Sequence, residues 1–284
     1  MNRQSDLTFR HNLKNGRHGW LRLTPAYSIK VVEQRLDQVP NVTHVLDPFS
    51  GSGTTGLVCA ERGIQSTLIE LNPFLVWLAE VKTANYRSDD LTTALSIATE
   101  ISRRLESTQN GHYWTPPISN IDRWWSRESL QLLGGIHGEL DALDPSPAKN
   151  LLLVAFCRLV IETSNAAFNH QSMSFRDTST QQLSFEEMRP HRFLELAEEI
   201  ARSAEYPLAT PVEIICADSR QMTTPTTRYD CVITSPPYPN RMSYIRELRP
   251  YMYWLGFLNE AREAGELDWE AIGGTWGIAT SRLQ

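Results

Sequence analysis

The sequence has only four cysteines in 284 residues, Cys59, Cys157, Cys216 and Cys231, each in an apolar run and none in C-x-x-C spacing. A disulfide framework and the common zinc patterns therefore drop out. The cysteines are expected as small core side chains in a reducing compartment, with no metal site. No apolar run reaches the roughly 20 residues a membrane-spanning helix needs. The N-terminal stretch MNRQSDLTFRHNLKNGRHGW has no apolar signal core. The expectation is a cytoplasmic protein without a membrane partner. Positive charge is in deficit too: 27 Lys and Arg stand against 33 Asp and Glu, a net charge of −6. The chain is no polycation, so any contact with nucleic acid must be local. The Walker A pattern is also missing, which weakens a nucleoside-triphosphate site.

What the chain does contain is organised by period. Residues 1–23 are polar and basic, and read most simply as a tail. Pro25–Leu36 has the spacing of a short helix, with Ile29, Val32 and Leu36 on one face. The stretch VTHVLDPFSGSGTTGLVCAERG then reads as a strand over 42–46, a glycine-rich turn, and a helix to Arg62 stopped by Gly63. QSTLIELNP reads as a second strand ending at Glu70, with a helix through FLVWLAEVKTANY after it. This is the start of a parallel β-α-β-α unit with a right-handed crossover. Beyond it, residues 89–107, 126–143, 147–168 and 184–204 carry helical periodicity without intervening strands. Strand character returns at VEIICADS, 212–219, and at YDCVITSPPY, where Cys231–Thr234 reads as a buried strand. The expected class is α/β, with strands on either side of a large helical insertion.

In open parallel sheets, ligands bind beyond the carboxyl ends of the strands. All four expected strands end in polar residues: Asp47, Glu70, Asp218 and Ser235. After the first comes PFSGSGTT. Gly51 and Gly53 let the backbone approach a ligand, and the helix starting near Thr54 aims free N–H groups at it. A nucleoside with a cationic amino-acid arm fits this set. Glu70 can accept from both ribose hydroxyls, Asp218 from an adenine amine, and Asp47 can hold an ammonium group. The ligand so described is S-adenosylmethionine. The plainer alternative is that Asp47 and Asp218 cap loops and Glu70 caps the helix after Pro73.

The second unusual stretch is TSPPY, 234–238. A loop that only had to turn would use Gly, Asn or Asp. Two prolines instead fix two φ angles and remove two N–H donors, and Pro236 biases Ser235 toward an extended backbone. DPFSGSGTT together with TSPPY resembles the amino-methyltransferases of DNA. That resemblance implies a Rossmann-like sheet and methyl transfer from S-adenosylmethionine to cytosine N(4) or adenine N(6). It further implies that Asp47, Pro48, Phe49, Gly51, Gly53, Thr54, Glu70 and Asp218 bind the cofactor, and that Ser235, Pro236, Pro237 and Tyr238 form the catalytic loop. The Ser235 hydroxyl and Pro236 carbonyl would accept the amine's hydrogens, and Tyr238 would stack on a flipped-out base. Serine at the first position of that loop is commoner among cytosine enzymes. HGWLRLTPAY is similar to the family segment over the cofactor's methionine end, which adds Thr24 and Pro25. The plainer alternative for SPPY taken alone is a proline-rich turn.

The order of cofactor loop, insertion and catalytic loop resembles the permuted class whose target-recognition region lies between the two. The expected division is 1–86 for the first part of the cofactor domain, 87–207 for the insertion, and 208–284 for the catalytic-loop part. Readout of double-stranded DNA needs amides and guanidinium groups. The insertion offers Arg123 and Arg127 around two tryptophans, then Asn169, Gln171 and Arg176. Arg241 and Arg246 follow the catalytic loop and can meet phosphates. The alternative is a helical cap with Trp124 and Trp125 in its core. After Tyr238 no further strand is legible, so the sheet is expected to be incomplete, in a truncated chain or one awaiting a second polypeptide. Three functions stay open: cytosine-N(4) methylation, adenine-N(6) methylation, and a non-catalytic subunit binding cofactor or DNA. RNA or protein amine methylation is a weaker fourth.

Overall fold

A computed structural model describes residues 10–23, 26–107, 113–167, 174–175, 190–221, 227–237 and 243–271. In chain order the elements are α1 (Ile29–Gln38), β1 (His44–Asp47), α2 (Thr54–Glu61), β2 (Gln65–Glu70), α3 (Pro73–Thr83), α4 (Ser88–Ser107), α5 (Ile121–Trp124), α6 (Arg127–Asp141), α7 (Pro147–Glu162), β3 (Ala166–Ala167), β4 (Ser174–Phe175), α8 (Pro190–Ala204), β5 (Val212–Cys216), β6 (Cys231–Val232), α9 (Tyr244–Trp254) and α10 (Ala261–Glu270). They divide into two compact units. One comprises 1–86 with 206–238, the other 87–205 with 239–284.

The first unit is an α/β structure around a four-stranded parallel sheet in the order β5-β2-β1-β6. Its core forms where Ile29, Val32 and Leu36 of α1 meet Val45, Val58, Cys59 and Ile233. Burying such side chains contributes about 1.5–3 kcal/mol each. The start of β6 is pinned to β1 by the Asp230 carboxylate, which accepts from the amides of Thr43 at 2.8 Å and His44 at 3.0 Å.

Several local expectations change. The helix expected from Pro25 begins at Ile29, because Ser28 caps it and accepts from the Lys30 amide. The preceding segment is no loose tail from residue 10 onward. It carries two short 3-10 turns, and the side-chain oxygen of Asn12 accepts from the Ile29 amide at 3.0 Å. The strand expected over Cys231–Thr234 is shorter and half exposed. Its ladder continues only through the Ile233 amide to the Leu46 carbonyl at 3.1 Å, and Val232 is 58 % exposed. The cause is position: β6 pairs with β1 on one side and has no second neighbour among the described residues. The same edge effect at β5 leaves Cys216 exposed, and Cys231 is only partly buried, whereas Cys59 and Cys157 are core residues as expected.

The second unit is built from α4 to α10 with the β3–β4 hairpin. The helix expected to run to 168 stops at Glu162, where the Thr163 hydroxyl folds back onto the Leu159 carbonyl. Trp125 is fully buried and donates its indole N–H to the Val160 carbonyl at 2.8 Å. Around it Trp114, His137, Phe156 and Trp254 pack ring against ring. Arg192 of α8 grips Glu162 of α7 through two bonds of 2.9 and 3.0 Å. α10, absent from the sequence reading, starts with a reciprocal capping box between Glu260 and Glu263. Among the described residues, no helix is long and apolar enough to cross a membrane.

Candidate cofactor and catalytic site

Because the sheet is parallel, the carboxyl ends of its four strands share one edge, and Asp47, Glu70, Asp218 and Ser235 lie at or just beyond those ends. The loop after β1 turns on two glycines in the left-handed region, Gly51 at φ 52° and Gly53 at φ 76°. Only glycine takes that backbone without strain. Gly53 also has no room to spare: a Cβ there would come within 2.9 Å of the Ala79 Cβ on α3. Gly51 is the opposite case: among the described residues nothing lies within 4 Å of where a Cβ would point.

The loop is tied to β2. The Ser50 amide donates to the Ile69 carbonyl at 3.1 Å and the Gly51 amide to Glu70 Oε2 at 2.8 Å. Glu70 Oε1 accepts from the Asn72 amide at 2.9 Å. Burial pushes the Glu70 carboxyl above its usual range, against the pull of these amides. Asn72 in turn caps α3, accepting from the Phe74 amide at 2.9 Å.

Asp47 is engaged by the protein's own groups. Its side chain is fully buried, and both oxygens are taken by the protein itself. Oδ2 accepts from the Thr55 hydroxyl at 2.6 Å and the Tyr27 hydroxyl at 3.0 Å, while Oδ1 accepts from the Phe49 amide at 3.2 Å. Burial raises its pKa, and the Thr55 hydroxyl heads the groups that oppose the shift. In this arrangement Asp47 anchors the loop through the Phe49 amide and the Thr55 hydroxyl. Asp218 is likewise engaged: Arg220 grips it through Nε at 3.0 Å and Nη2 at 2.8 Å, holding its carboxyl below the ordinary value.

The remaining residues fall as follows. Pro48 and Phe49 are half-buried, and the Pro48 carbonyl accepts from the Ser219 hydroxyl. Thr54 is buried as the first residue of α2. Ser235 and Pro236 are exposed and Pro237 is half-buried, in irregular backbone after β6. Thr24, Pro25, Tyr238, Asn169, Gln171, Arg176 and Arg241 lie outside the described residues. In the second unit Arg123, Arg127 and Arg246 are exposed, with the Arg123 guanidinium 4.5 Å above the Phe175 ring. The tryptophans between Arg123 and Arg127 are both buried, so those rings serve the core rather than the surface.

The glycine loop is polar and partly buried, which suits a nucleoside cofactor. Ser50 is buried, and its hydroxyl has no hydrogen-bond partner among the described residues. With the open space over Gly51 and the carboxylate of Glu70 beside it, the donor and acceptor set fits S-adenosylmethionine. The sequence alone did not single out Tyr27, Thr55 and Lys82, which bond to Asp47 and to the Ser52 carbonyl. The one available signal was Lys82, the single lysine in the mostly apolar stretch FLVWLAEVKTANY.

No family model matches the chain. It is 23 % identical over 295 residues to the Type II methyltransferase M.BsoBI of Geobacillus stearothermophilus, covering 91 % of this chain and 57 % of that protein. It is 50 % identical over 42 residues to the Type II methyltransferase M.MjaII of Methanocaldococcus jannaschii, 15 % of this chain and 8 % of that protein. It is 23 % identical over 151 residues to the Type II methyltransferase M.MvaI of Kocuria varians, 52 % of this chain and 33 % of that protein. The chain thus spans less than two thirds of the length of these relatives.

Proposed function

We propose that this chain carries the cofactor-binding and catalytic loops of a site-specific DNA methyltransferase acting on the exocyclic amine of a flipped-out base, at N(4) of cytosine. The observation that carries the reading is that two loops follow neighbouring parallel strands at one sheet edge. The glycine loop leaves β1, and Ser235–Pro236–Pro237 leaves β6 beside it. The similarity to Type II methyltransferases supports the same reading.

S-adenosylmethionine, when bound, supplies an electrophilic methyl group. Glu70 keeps lone pairs for ribose hydroxyls beyond those used by Gly51 and Asn72. The Ser50 hydroxyl gains its missing partner. Asp218 can take an adenine amine in exchange for Arg220. Thr24 and Pro25 are assigned to the methionine end.

A cytosine amine is a poor nucleophile because its nitrogen lone pair is delocalised into the ring. Ser235 Oγ and the Pro236 carbonyl accept the two amine hydrogens and leave the lone pair pointing outward. The prolines hold that carbonyl without an N–H to compete, so little reorganisation is needed in the reaction. Tyr238 stacks on the extruded base.

Double-stranded DNA is the proposed partner, with phosphates met by the exposed Arg127 and Arg246 and by Arg241. Arg123, Asn169, Gln171 and Arg176 are assigned to base edges. A second polypeptide pairing with the open edge of β6 is part of the proposal, and the exposure of Val232 supports it.

The test is incubation of the purified chain with labelled S-adenosylmethionine and mixed-sequence DNA, followed by nucleoside separation. N(4)-methylcytosine is expected. N(6)-methyladenine alone would overturn the assignment that rests on Ser235. Cofactor binding without any labelled base, even with added partner strands, would favour the non-catalytic subunit.

A further inference from the structure

Lys82 lies on the last turn of α3, only 2 % exposed, and its ammonium donates to the Ser52 carbonyl at 2.9 Å. An unpaired charge is expensive to bury, and this buried cation has the Ser52 carbonyl as its hydrogen-bond acceptor. What it holds is the middle of the glycine loop. One turn earlier on the same helix, Ala79 sits directly against Gly53. Two residues of α3 therefore grip two successive residues of the loop, one by packing and one by a charge-assisted hydrogen bond.

The helix end that carries Lys82 is itself held. Arg17 donates to the carbonyls of Lys82 at 3.1 Å, of Tyr206 at 2.9 Å, and of Ala84. The carboxylate acting on Lys82 is Glu61, at the end of α2, and Glu61 also meets His18 Nε2 at 3.2 Å. The titratable groups that act on or feel the ammonium are thus Glu61 from α2 and His18 from the N-terminal turns.

We infer that Lys82 is the positioning residue of the glycine loop: its buried ammonium fastens the Ser52 carbonyl to α3, so that the side of the loop at Gly51 stays open and fixed for the cofactor. The inference deepens the cofactor reading above and rests on it only for the ligand's identity. Lys82 touches neither cofactor nor base and acts through the loop. Burial lowers its pKa to about 8, with Glu61 pulling the other way. The grip is therefore ammonium below that pH and a weaker neutral amine above it.

Amide hydrogen exchange and calorimetry test this on the whole chain. In Lys82→Met, amides of residues 50–53 are expected to exchange at least about tenfold faster, the loss of one charged hydrogen bond, while the central β2 amides keep their protection. Affinity for S-adenosylmethionine is expected to fall about 10- to 100-fold by the same loss. The wild-type chain gives an independent readout without substitution. Loop amide resonances should shift between pH 7 and 9.5, with a midpoint near the Lys82 pKa of about 8. Loop exchange unchanged in a folded Lys82→Met, or loop resonances flat over that range, would overturn the inference. Should the variant not fold, the wild-type titration decides. Failure of the wild-type chain to bind S-adenosylmethionine would sink the cofactor reading instead, and the exchange result would still decide whether Lys82 holds the loop.

Discussion

The Gly51 amide donates to Glu70 Oε2 at 2.8 Å, so the end of the second strand holds the loop that follows the first. One carboxylate thus serves two purposes: it shapes the glycine loop, and it presents its remaining lone pairs at the sheet edge. Removing it should cost both. In Glu70→Ala the amides of Gly51 and Asn72 lose their acceptor, each charged bond being worth about 1.5–3 kcal/mol. Cofactor affinity is expected to drop about 10- to 150-fold by titration calorimetry. Unchanged affinity in a folded variant would remove Glu70 from the site.

Lys82 sets a pH dependence whose sign can be worked out. Its folded pKa, about 8, lies below the unfolded value of 10.5. Between those values the unfolded chain binds more protons, so stability rises with pH across the window. The contribution is fully present above the unfolded pKa and lost as pH falls through about 8. Between pH 7.5 and 9.5, urea melts of the wild type should gain about 2 kcal/mol relative to Lys82→Met, from roughly one and a half pKa units of the window. Parallel curves for the two proteins would refute the depressed pKa. Loop grip and global stability should therefore move in opposite directions with pH.

Trp125 tests whether the tryptophans of RWWSR read DNA or fill the core. It is fully buried and bonded to the Val160 carbonyl. Trp125→Ala is expected to destabilise the chain by about 3–5 kcal/mol. Trp125→Phe should cost less and leave DNA affinity unchanged in a fluorescence anisotropy titration. A selective loss of DNA binding in a stable Trp125→Phe protein would restore the tryptophan to the interface.

Val232, exposed on β6, should make the isolated chain prone to association through an open strand edge. Val232→Lys places a charge there, and sedimentation velocity should show a larger monomer fraction with an unchanged melting temperature. If association is the same in both proteins, the edge of β6 is not what drives it.

Tyr238 belongs to the proposed base-binding loop. Tyr238→Ala is expected to weaken capture of the target base by about 1–3 kcal/mol, the range for stacking, and to leave cofactor binding intact. Normal methylation by this variant would refute the stacking role.

The strand–glycine–helix start, the end of β2 at Glu70 and most helices of the insertion could be read from the sequence because they rest on short-range physics. Gly51 and Gly53 mark positive φ, Gly63 stops a helix, and apolar spacing marks the faces of α4, α6 and α8. The polar residues at the strand ends were legible for the same reason. Their occupancy was not. Asp47 is closed off by Tyr27, 20 positions earlier, and Lys82 reaches Ser52 across 30 positions. Whether a strand is central or at an edge also depends on pairing between distant segments, which is why Val232 and Cys216 read as buried and are exposed. Period and turn chemistry are properties of neighbours along the chain. Burial, partner choice and the state of a carboxylate are set by which distant segments pack against it, and only the folded arrangement decides those.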